Sequence, residues 1–421
     1  MLTAWRELGR SGRRTFTASF LGWSLDAFDF FLLTFVISRV ATDFNHAVKE
    51  VAFAVTLTLF CRPVGALLFG WLADRFGRRT PLMIDVGCYS VLHLLTAFSP
   101  NFTVFLVLRA LYGIAMGGEW GVGAAIAMEA VPAKRRGLFS GILQEGYAAG
   151  YLFAAFAYFV VFHFAARAGL QAIDWRILFA VGSLPAFLVL YIRAYVPNSI
   201  PATAPGEKSA SVDALREIVR HWPLAIYAIA FMTAMNFMSH GTQDSYATFL
   251  QKQHDFAPGQ VSVLSMIGAV GAITGGVIFG ALSQRIGRRG SVIACAAIGI
   301  GVVPLWVFSH TIALLACGAF AIQFAVQGAW GVIPAHLNEL SPSNARATFP
   351  GFTYQLGNAL SAGTLQIEAW LAAGFPLAGG EPNYAKAMAL VATVTFAAVI
   401  VLALIGFMVR PERRDRELAL G

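Results

Sequence analysis

The sequence predicts an all-α membrane protein: twelve transmembrane helices arranged as two pseudo-symmetric six-helix bundles. Three observations carry this reading. Of 421 residues, 57% are hydrophobic and only 12% charged, and the mean hydropathy is +0.67, more apolar than a soluble domain of this length requires. Apolar stretches of helical length recur along the whole chain. Three motifs occur twice at one fixed offset, 210 residues apart.

Residues 1–14 carry four arginines, and the first apolar stretch covers about 16–39. It is too long for a cleaved signal peptide and contains Asp26 and Asp29, so it reads as a retained helix. Further stretches follow at about 51–72, 81–98, 102–128, 138–165 and 174–195. The remaining six lie at about 223–250, 261–283, 291–308, 312–338, 347–373 and 384–408. We number these spans 1 to 12. Each is long enough to cross a hydrocarbon core of about 30 Å. Backbone facing lipid must satisfy its own hydrogen bonds, which makes them helices. Between the sixth and seventh lies Pro197–Arg220, a polar linker with Pro, Ser, Glu and Lys. The chain therefore divides into a first bundle at 1–196, a linker at 197–220 and a second bundle at 221–421.

Arginine and lysine fix the expected orientation. With the N-terminus inside, 22 of the 30 Lys and Arg fall in cytoplasmic segments. Only Arg39, Lys49, Arg167, Arg176, Lys252 and Lys386 fall outside, and Arg62 and Arg109 lie within spans. Both termini are thus expected in the cytoplasm. The net charge of +8 is this topological signal; basic residues in short inter-helix turns do not make a nucleic-acid surface. Cys61, Cys88, Cys295 and Cys317 all lie within spans without metal-ligand spacing and read as free packing residues. No metal site is expected.

The repeats place the halves in register. Gly70-Trp-Leu-Ala-Asp-Arg-Phe-Gly-Arg-Arg79 recurs as Gly280-Ala-Leu-Ser-Gln-Arg-Ile-Gly-Arg-Arg289. Gly118-Glu-Trp-Gly-Val122 recurs as Gly328-Ala-Trp-Gly-Val332, and Glu129, Pro132 and Arg136 recur as Glu339, Pro342 and Arg346. A shared offset marks an internal repeat. Two six-helix halves with an Asp-Arg-x-Gly-Arg-Arg turn after span 2 resemble the major facilitator superfamily across the whole chain. That resemblance implies a transporter rather than an enzyme, with substrate at mid-membrane between halves that rock around it. It also implies a gating role for Asp74, Arg75, Gly77, Arg78 and Arg136, and for Arg285, Gly287, Arg288 and Arg346. Asp74 is expected to pair with Arg136 and with a helix N-terminus of the other half. Gln284 replaces that acid in the second copy, which breaks the chemical symmetry of the gate.

Span 7 is the least apolar. Asn236, Ser239, His240, Gln243 and Asp244 fall within an arc of roughly 140° on a helical wheel. A charged group there would cost roughly 2.5–3.5 kcal/mol or more against lipid, so this face looks into protein or water. It is either a ligand site or polar glue between helices. Subtracting the offset maps Asn236 onto Asp26 and Ser239 onto Asp29, and Gln355 maps onto Glu145. Asp26, Asp29, Arg62, Glu145, His240, Asp244, Tyr354, Gln355 and Asn358 are expected to converge on one cavity. Asp26 and Asp29 are three apart on one face, and two close carboxylates resist double ionisation. Arg62 cannot shed its charge and needs an anion: a substrate carboxylate, or Asp26 or Asp29. Glu119 is either a second proton site or a packing acid. Arg109 lies ten residues from it, about 15 Å along the axis, and is similar to the superfamily's span-4 arginine that couples protonation to movement.

A narrower resemblance rests on span 7. Asn236-x-x-Ser-His-x-Thr-Gln-Asp-x-x-x-Thr248 looks like the signature of the fungal Jen-type lactate/pyruvate permeases, which group with bacterial sialic-acid transporters as proton symporters. Trp23-x-x-Asp-Ala-Phe-Asp-Phe-Phe31 and Tyr354-Gln-Leu-Gly-Asn358 are also similar. The resemblance implies uptake of a short monocarboxylate with a proton, the alternative being sialic acid or an aromatic carboxylate. It gives Asn236, His240 and Asp244 to substrate and proton handling and Gln355 to reading the substrate; Arg62, Gln243, Tyr354 and Asn358 complete the expected substrate site. Asp26, Asp29, Glu145, Glu119 and Arg109 go to proton coupling, with no cofactor beyond the co-transported proton. The chain lacks the long polar termini of the fungal members, so the expected setting is a bacterial inner membrane and the expected form a monomer. Phe28, Phe30, Phe31, Trp120 and Trp330 either narrow the cavity or pack between helices.

Overall fold

The computed structural model describes residues 2–197, 214–413 and 418. Most of the expected linker lies outside these residues; its last turns form a helix at Ala214–Arg220. Among the described residues every regular element is helical. Span 1 is Gly9–Phe44, span 2 Val48–Phe76 and span 3 Arg79–Ala97. Span 4 is Phe102–Met116 continued by Glu119–Ala130, and span 5 is Arg136–Gln144 continued by Gly146–Ala168. Span 6 joins Asp174–Val181 to Ala186–Tyr195, and span 7 joins Trp222–Gln243 to Tyr246–Gln253. Spans 8 and 9 are Pro258–Ile286 and Arg288–Val307. Span 10 joins Ile312–Trp330 to Ile333–Leu340, span 11 joins Thr348–Ser361 to Thr364–Gly374, and span 12 is Tyr384–Val409.

Eleven of these are long and apolar enough to cross a membrane. Span 11 falls short because it breaks at Ala362–Gly363 and carries Gln355, Asn358, Gln366 and Glu368. Its polar residues Gln355, Asn358 and Glu368 are buried, and it packs against spans 2, 7 and 12. Several observed helices run past their apolar limits, because a helix continues after it leaves the lipid. Of the cysteines, Cys295 is buried, whereas Cys88 and Cys317 are exposed on the outer face and pack nothing.

At spans 2 and 8 the repeat holds in three dimensions residue for residue. Spans 2 and 8 have equal length and begin and end 210 residues apart. At their starts, Glu50 and Gln260 each accept a hydrogen bond from the backbone N–H three residues earlier, both at 3.0 Å. At their ends, Gly77 and Gly287 take φ of 91° and 93°, which only glycine adopts without strain.

The halves meet at the end that carries the arginine-rich turns, called here the basic end. Span 2 packs on span 11, span 5 on span 8, and the second piece of span 4 on spans 10 and 11. Glycine makes this approach possible. A Cβ on Gly121 would lie 2.6 Å from the Cα of Gly351, and one on Gly141 would lie 2.4 Å from the carbonyl oxygen of Gly276. Ser140 bridges the same seam, donating to Gly331 O at 2.7 Å and accepting from Ala335 N at 3.0 Å. At the opposite end spans 1 and 7 do not pack to this extent, and the side chains of His240 and Asp244 remain 29% and 34% exposed. The space between the halves is therefore closed at the basic end and open at the other.

Leucine at Gly121 or Gly141 is expected to wedge this seam. Spin labels on the turns after spans 2 and 8 should report a distance distribution shifted outward by several ångström, with the protein still monodisperse. An unchanged distribution would show that the seam absorbs the side chain.

Candidate functional site: a charged cavity between the halves

Span 1 directs Asp26 and Asp29 inward from successive turns, and both are buried. Span 2 brings Arg62 against them: its Nη2 donates to Asp26 Oδ2 at 2.7 Å. Both partners are at most 5% exposed. The open question of Arg62's anion thus resolves, in this conformation, to Asp26. The pair is incompletely satisfied, because Asp26 Oδ1 and Arg62 Nε are buried without hydrogen-bond partners. Neither oxygen of Asp29 has one either. Asp29 feels the negative charge of Asp26 and the positive charge of Arg109. Arg109 itself is buried deeper in the first half. It donates to Thr96 Oγ1 at 3.1 Å, and its guanidinium lies 4.0 Å from the Tyr112 ring centroid and 5.2 Å from that of Phe179. Cation–π contact of this kind stabilises a desolvated arginine without neutralising it.

On the other side, span 7 holds His240 between two acceptors. Nδ1 is 3.1 Å from Asp244 Oδ2 and Nε2 is 3.3 Å from Asn358 Oδ1 of span 11. The ring can donate to both acceptors at once only when both nitrogens carry protons. Glu368, in the second piece of span 11, accepts from Ser245 Oγ at 2.5 Å and clasps the breaks in spans 7 and 11 together.

Aromatic rings join the two clusters. Tyr147 stacks on Trp23 at 5.7 Å, and the nearby ionic groups include Asp26 and Arg62 on one side and Asp244 on the other. Tyr354 is wedged among Trp120 at 4.5 Å, Trp330 at 5.7 Å and Trp23 at 6.5 Å. Trp120 and Trp330 are repeat mates, so one tyrosine is gripped from both halves. These rings floor the cavity above the closed basic end.

Below them the charged turns form a clasp. Asp74 accepts from the backbone N–H of Ala347 at 3.0 Å and Thr348 at 2.9 Å, and from Thr348 Oγ1 at 2.7 Å. It therefore sits on the N-terminus of span 11, where a helix dipole favours an anion. The expected Asp74–Arg136 pair does not form. Asp74 pairs with Arg78 at 3.3 Å, while Arg136 crosses the seam to Glu339 at 3.4 Å. Arg78 also holds Glu129 at 3.1 Å, and its mate Arg288 holds Glu339 through two hydrogen bonds of 2.7 and 3.0 Å. Gln284 keeps the geometry of the missing acid, accepting from Gly137 N at the start of span 5 at 3.4 Å. The clasp is symmetric in shape and asymmetric in charge. Arg75 lies outside it, stacked over Trp71 and Phe76. Arg285 is exposed, and Arg346 lies in the fields of Glu129 and Asp74.

The sequence profile of the Major Facilitator Superfamily matches residues 19–366. The chain belongs to this superfamily. It is a membrane transporter, not an enzyme. Among its relatives, a carboxylic acid transporter protein homolog of Saccharomyces cerevisiae is 32% identical, over 92% of this chain and 67% of its own length. A probable 4-methylmuconolactone transporter of Cupriavidus pinatubonensis is 27% identical over 98% of this chain and 93% of its own. The sialic acid transporter NanX of Escherichia coli is 26% identical over 97% of both chains. In fold, the proton:xylose symporter XylE superposes with a TM-score of 0.74 at 19% identity, covering 97% of this chain and 98% of its own.

Other expected site residues of this superfamily member are placed differently. Glu145 does not join the polar cluster. Span 5 breaks at Glu145, and its carboxyl enters the seam, where a Cβ on Gly276 would lie 2.0 Å from it. Asn236 is buried and returns its amide to Met232 O at 2.8 Å, and Gln243 bonds Gln323 of span 10 at 3.0 Å. Gln355 is fully buried with neither amide atom paired. Glu119, expected as a second proton site or a packing acid, is buried against span 1. Tyr147, Gln323, Glu368 and Asp85 were not foreseen. A lone acid inside an apolar stretch was the available signal for the last two. Among the described residues, no cluster of His, Cys, Asp and Glu is arranged to hold a metal ion. An apolar recess of about 790 Å³ between spans 7, 11 and 12, lined by Ile226, Phe237, Leu360 and Val394, faces outward and contains none of the polar groups above.

Asp74→Asn is expected to loosen the clasp. Losing an anion at a helix N-terminus in a partly buried setting removes about 1–2 kcal/mol, a roughly five- to thirty-fold shift towards the basic-end-open state. Cysteine accessibility at the basic end should rise accordingly, and no rise would show that Asp74 does not hold the closed state.

Proposed function

We propose that this transporter is a proton-coupled symporter that imports a short monocarboxylate such as lactate or pyruvate. The proposed setting is a bacterial cytoplasmic membrane, with both termini inside and one chain sufficing. The observation that carries the reading is the Arg62–Asp26 pair, buried at mid-membrane with unsatisfied atoms on both partners. Asp26 satisfies Arg62 while the cavity is empty. Protonating Asp26 frees the guanidinium, which then grips an incoming carboxylate bidentately. One proton and one anion thus enter together, and the buried charge is unchanged. His240, poised by Asp244 and Asn358, addresses the other end of the substrate. With the basic end cytoplasmic, the conformation described is the loading state. The cycle proceeds by releasing the Asp74 clasp and closing spans 1 and 7. The yeast relative named for carboxylic acid transport supports the substrate class.

A second reading is sialic acid or an aromatic carboxylate. The NanX relative and the rings of Trp23, Tyr147 and Phe31 favour it.

Proteoliposomes decide between these readings. An inward proton gradient should concentrate radiolabelled L-lactate, a protonophore should abolish this, and pyruvate should compete better than sialic acid. Accumulation without a gradient, after subtracting passive entry of lactic acid into empty vesicles, would remove the symport claim. Preferential competition by sialic acid would move the substrate to the second reading.

Arg62→Lys tests the carboxylate site. Lysine keeps the charge and loses the planar fork, so transport should fall at least tenfold with protein yield unchanged. Normal transport by Arg62→Lys would make Arg62 a structural counter-ion.

A further inference from the structure

The first half buries more acids than its cations can balance. Asp26, Asp29, Asp85 and Glu119 are each at most 1% exposed, and the cations beside them are Arg62 and Arg109. Only Asp26 has an ion-pair partner; both oxygens of Asp29 and Glu119 lack hydrogen-bond partners, and Asp85 has at most the backbone N–H of Gly118 beside it. An unpaired ionised carboxylate in such a place is very costly, so two of the four acids must be held neutral. Ordinary packing explains one such acid poorly and a string of them worse.

The acids are ordered in space. Glu119 Oε1 lies where a Cβ on Gly22 would be 2.3 Å away, which puts it on span 1 one turn nearer the basic end than Asp26. Asp85 Oδ1 lies 2.9 Å from the corresponding position on Gly118, the residue before Glu119. Asp85 is six residues from the start of span 3 at Arg79, about 9 Å along the axis. Beyond it stands the clasp of Arg78, Asp74 and Glu129. The groups facing this string are Asp26 and Asp29 of span 1, Arg62 of span 2, Tyr89 and His93 of span 3, and Arg109 and Tyr112 of span 4. The hydroxyls of Tyr89 and Tyr112 are buried and unpaired as well.

We propose that Glu119 and Asp85 form the proton's exit route, carrying it from Asp26 to the basic end after the substrate leaves Arg62. The proposal rests on the proton-coupled reading. Asp26 gives its proton to a carboxyl oxygen of Glu119. Glu119 passes its own hydroxyl proton to Asp85, and Asp85 releases one to solvent at the opened basic end. Each relay acid returns to its neutral form, Asp26 becomes a carboxylate, and it re-pairs with Arg62. One proton crosses for each anion delivered.

The test uses Asp85→Asn and Glu119→Gln, which keep shape and lose the relay, with Asp85→Glu and Glu119→Asp as acids that retain it. Purified proteins in liposomes are assayed for gradient-driven L-lactate accumulation, for lactate counterflow, and for lactate-dependent proton entry with an internal pH dye. The amide variants should lose at least tenfold in accumulation and in proton entry, keep counterflow within about twofold, and leave the acid variants working. Accumulation and proton entry at wild-type levels in both amide variants would overturn the route while leaving symport intact. Equal loss of counterflow and accumulation would assign these acids a structural role and overturn it too. Absence of lactate-linked proton entry in the wild-type protein would instead remove the symport reading, and the route with it.

Discussion

A guanidinium at mid-membrane cannot be neutralised, so Arg62 must hold an anion in every conformation it passes through. This constraint orders the rest of the site. Asp26 lies 2.7 Å away because the empty cavity would otherwise leave the cation unpaired. In the proposed cycle an arriving carboxylate takes that place once a proton makes Asp26 yield it. On that reading the coupling of two cargoes needs no long-range signal. It follows from one cation, two competing anions and a low dielectric.

Much of the architecture was legible because it rests on composition and repetition. The 210-residue offset aligned span 2 with span 8 and the two glycine-ended turns with each other, and each pair matches in the structure. The same offset drew Glu145 into the cavity by analogy with Gln355, and there it misled. Repeat mates share a helix and a height, but a helix break between Gln144 and Gly146 turned Glu145 into the seam. The breaks in spans 4, 5, 6, 7, 10 and 11 were invisible to an apolarity count, which averages over them. They are also where Glu119, Ser245 and Glu368 act.

Pairings were less legible than positions. Arg136 and Asp74 were expected to pair, yet each has another partner, Glu339 and Arg78 respectively. Helix numbering places a side chain within about a turn, whereas an ion pair is decided over 1 Å. Tyr147 carried no signal because a tyrosine in an apolar helix is ordinary. Its role comes from lying between Arg62 and Asp244, a tertiary fact.

The two halves have diverged in chemistry while keeping one frame. Positions 26, 29, 62, 85, 109 and 119 carry ionisable side chains in the first half; their mates are Asn236, Ser239, Ala272, Cys295, Ala319 and Ala329. The clasp shows the same bias, since Asp74 is an anion on a helix N-terminus and Gln284 is a neutral acceptor on its counterpart. The buried acids and arginines at mid-span are thus gathered mostly in one half, and the other supplies shape, hydrogen bonds and the His240 ring. Such a division limits the number of desolvated charges that move across the seam when the halves rock. It also makes the first half the more sensitive to protonation, because there an added proton changes which ion pairs exist, and in the second half it changes mainly one ring between two acceptors.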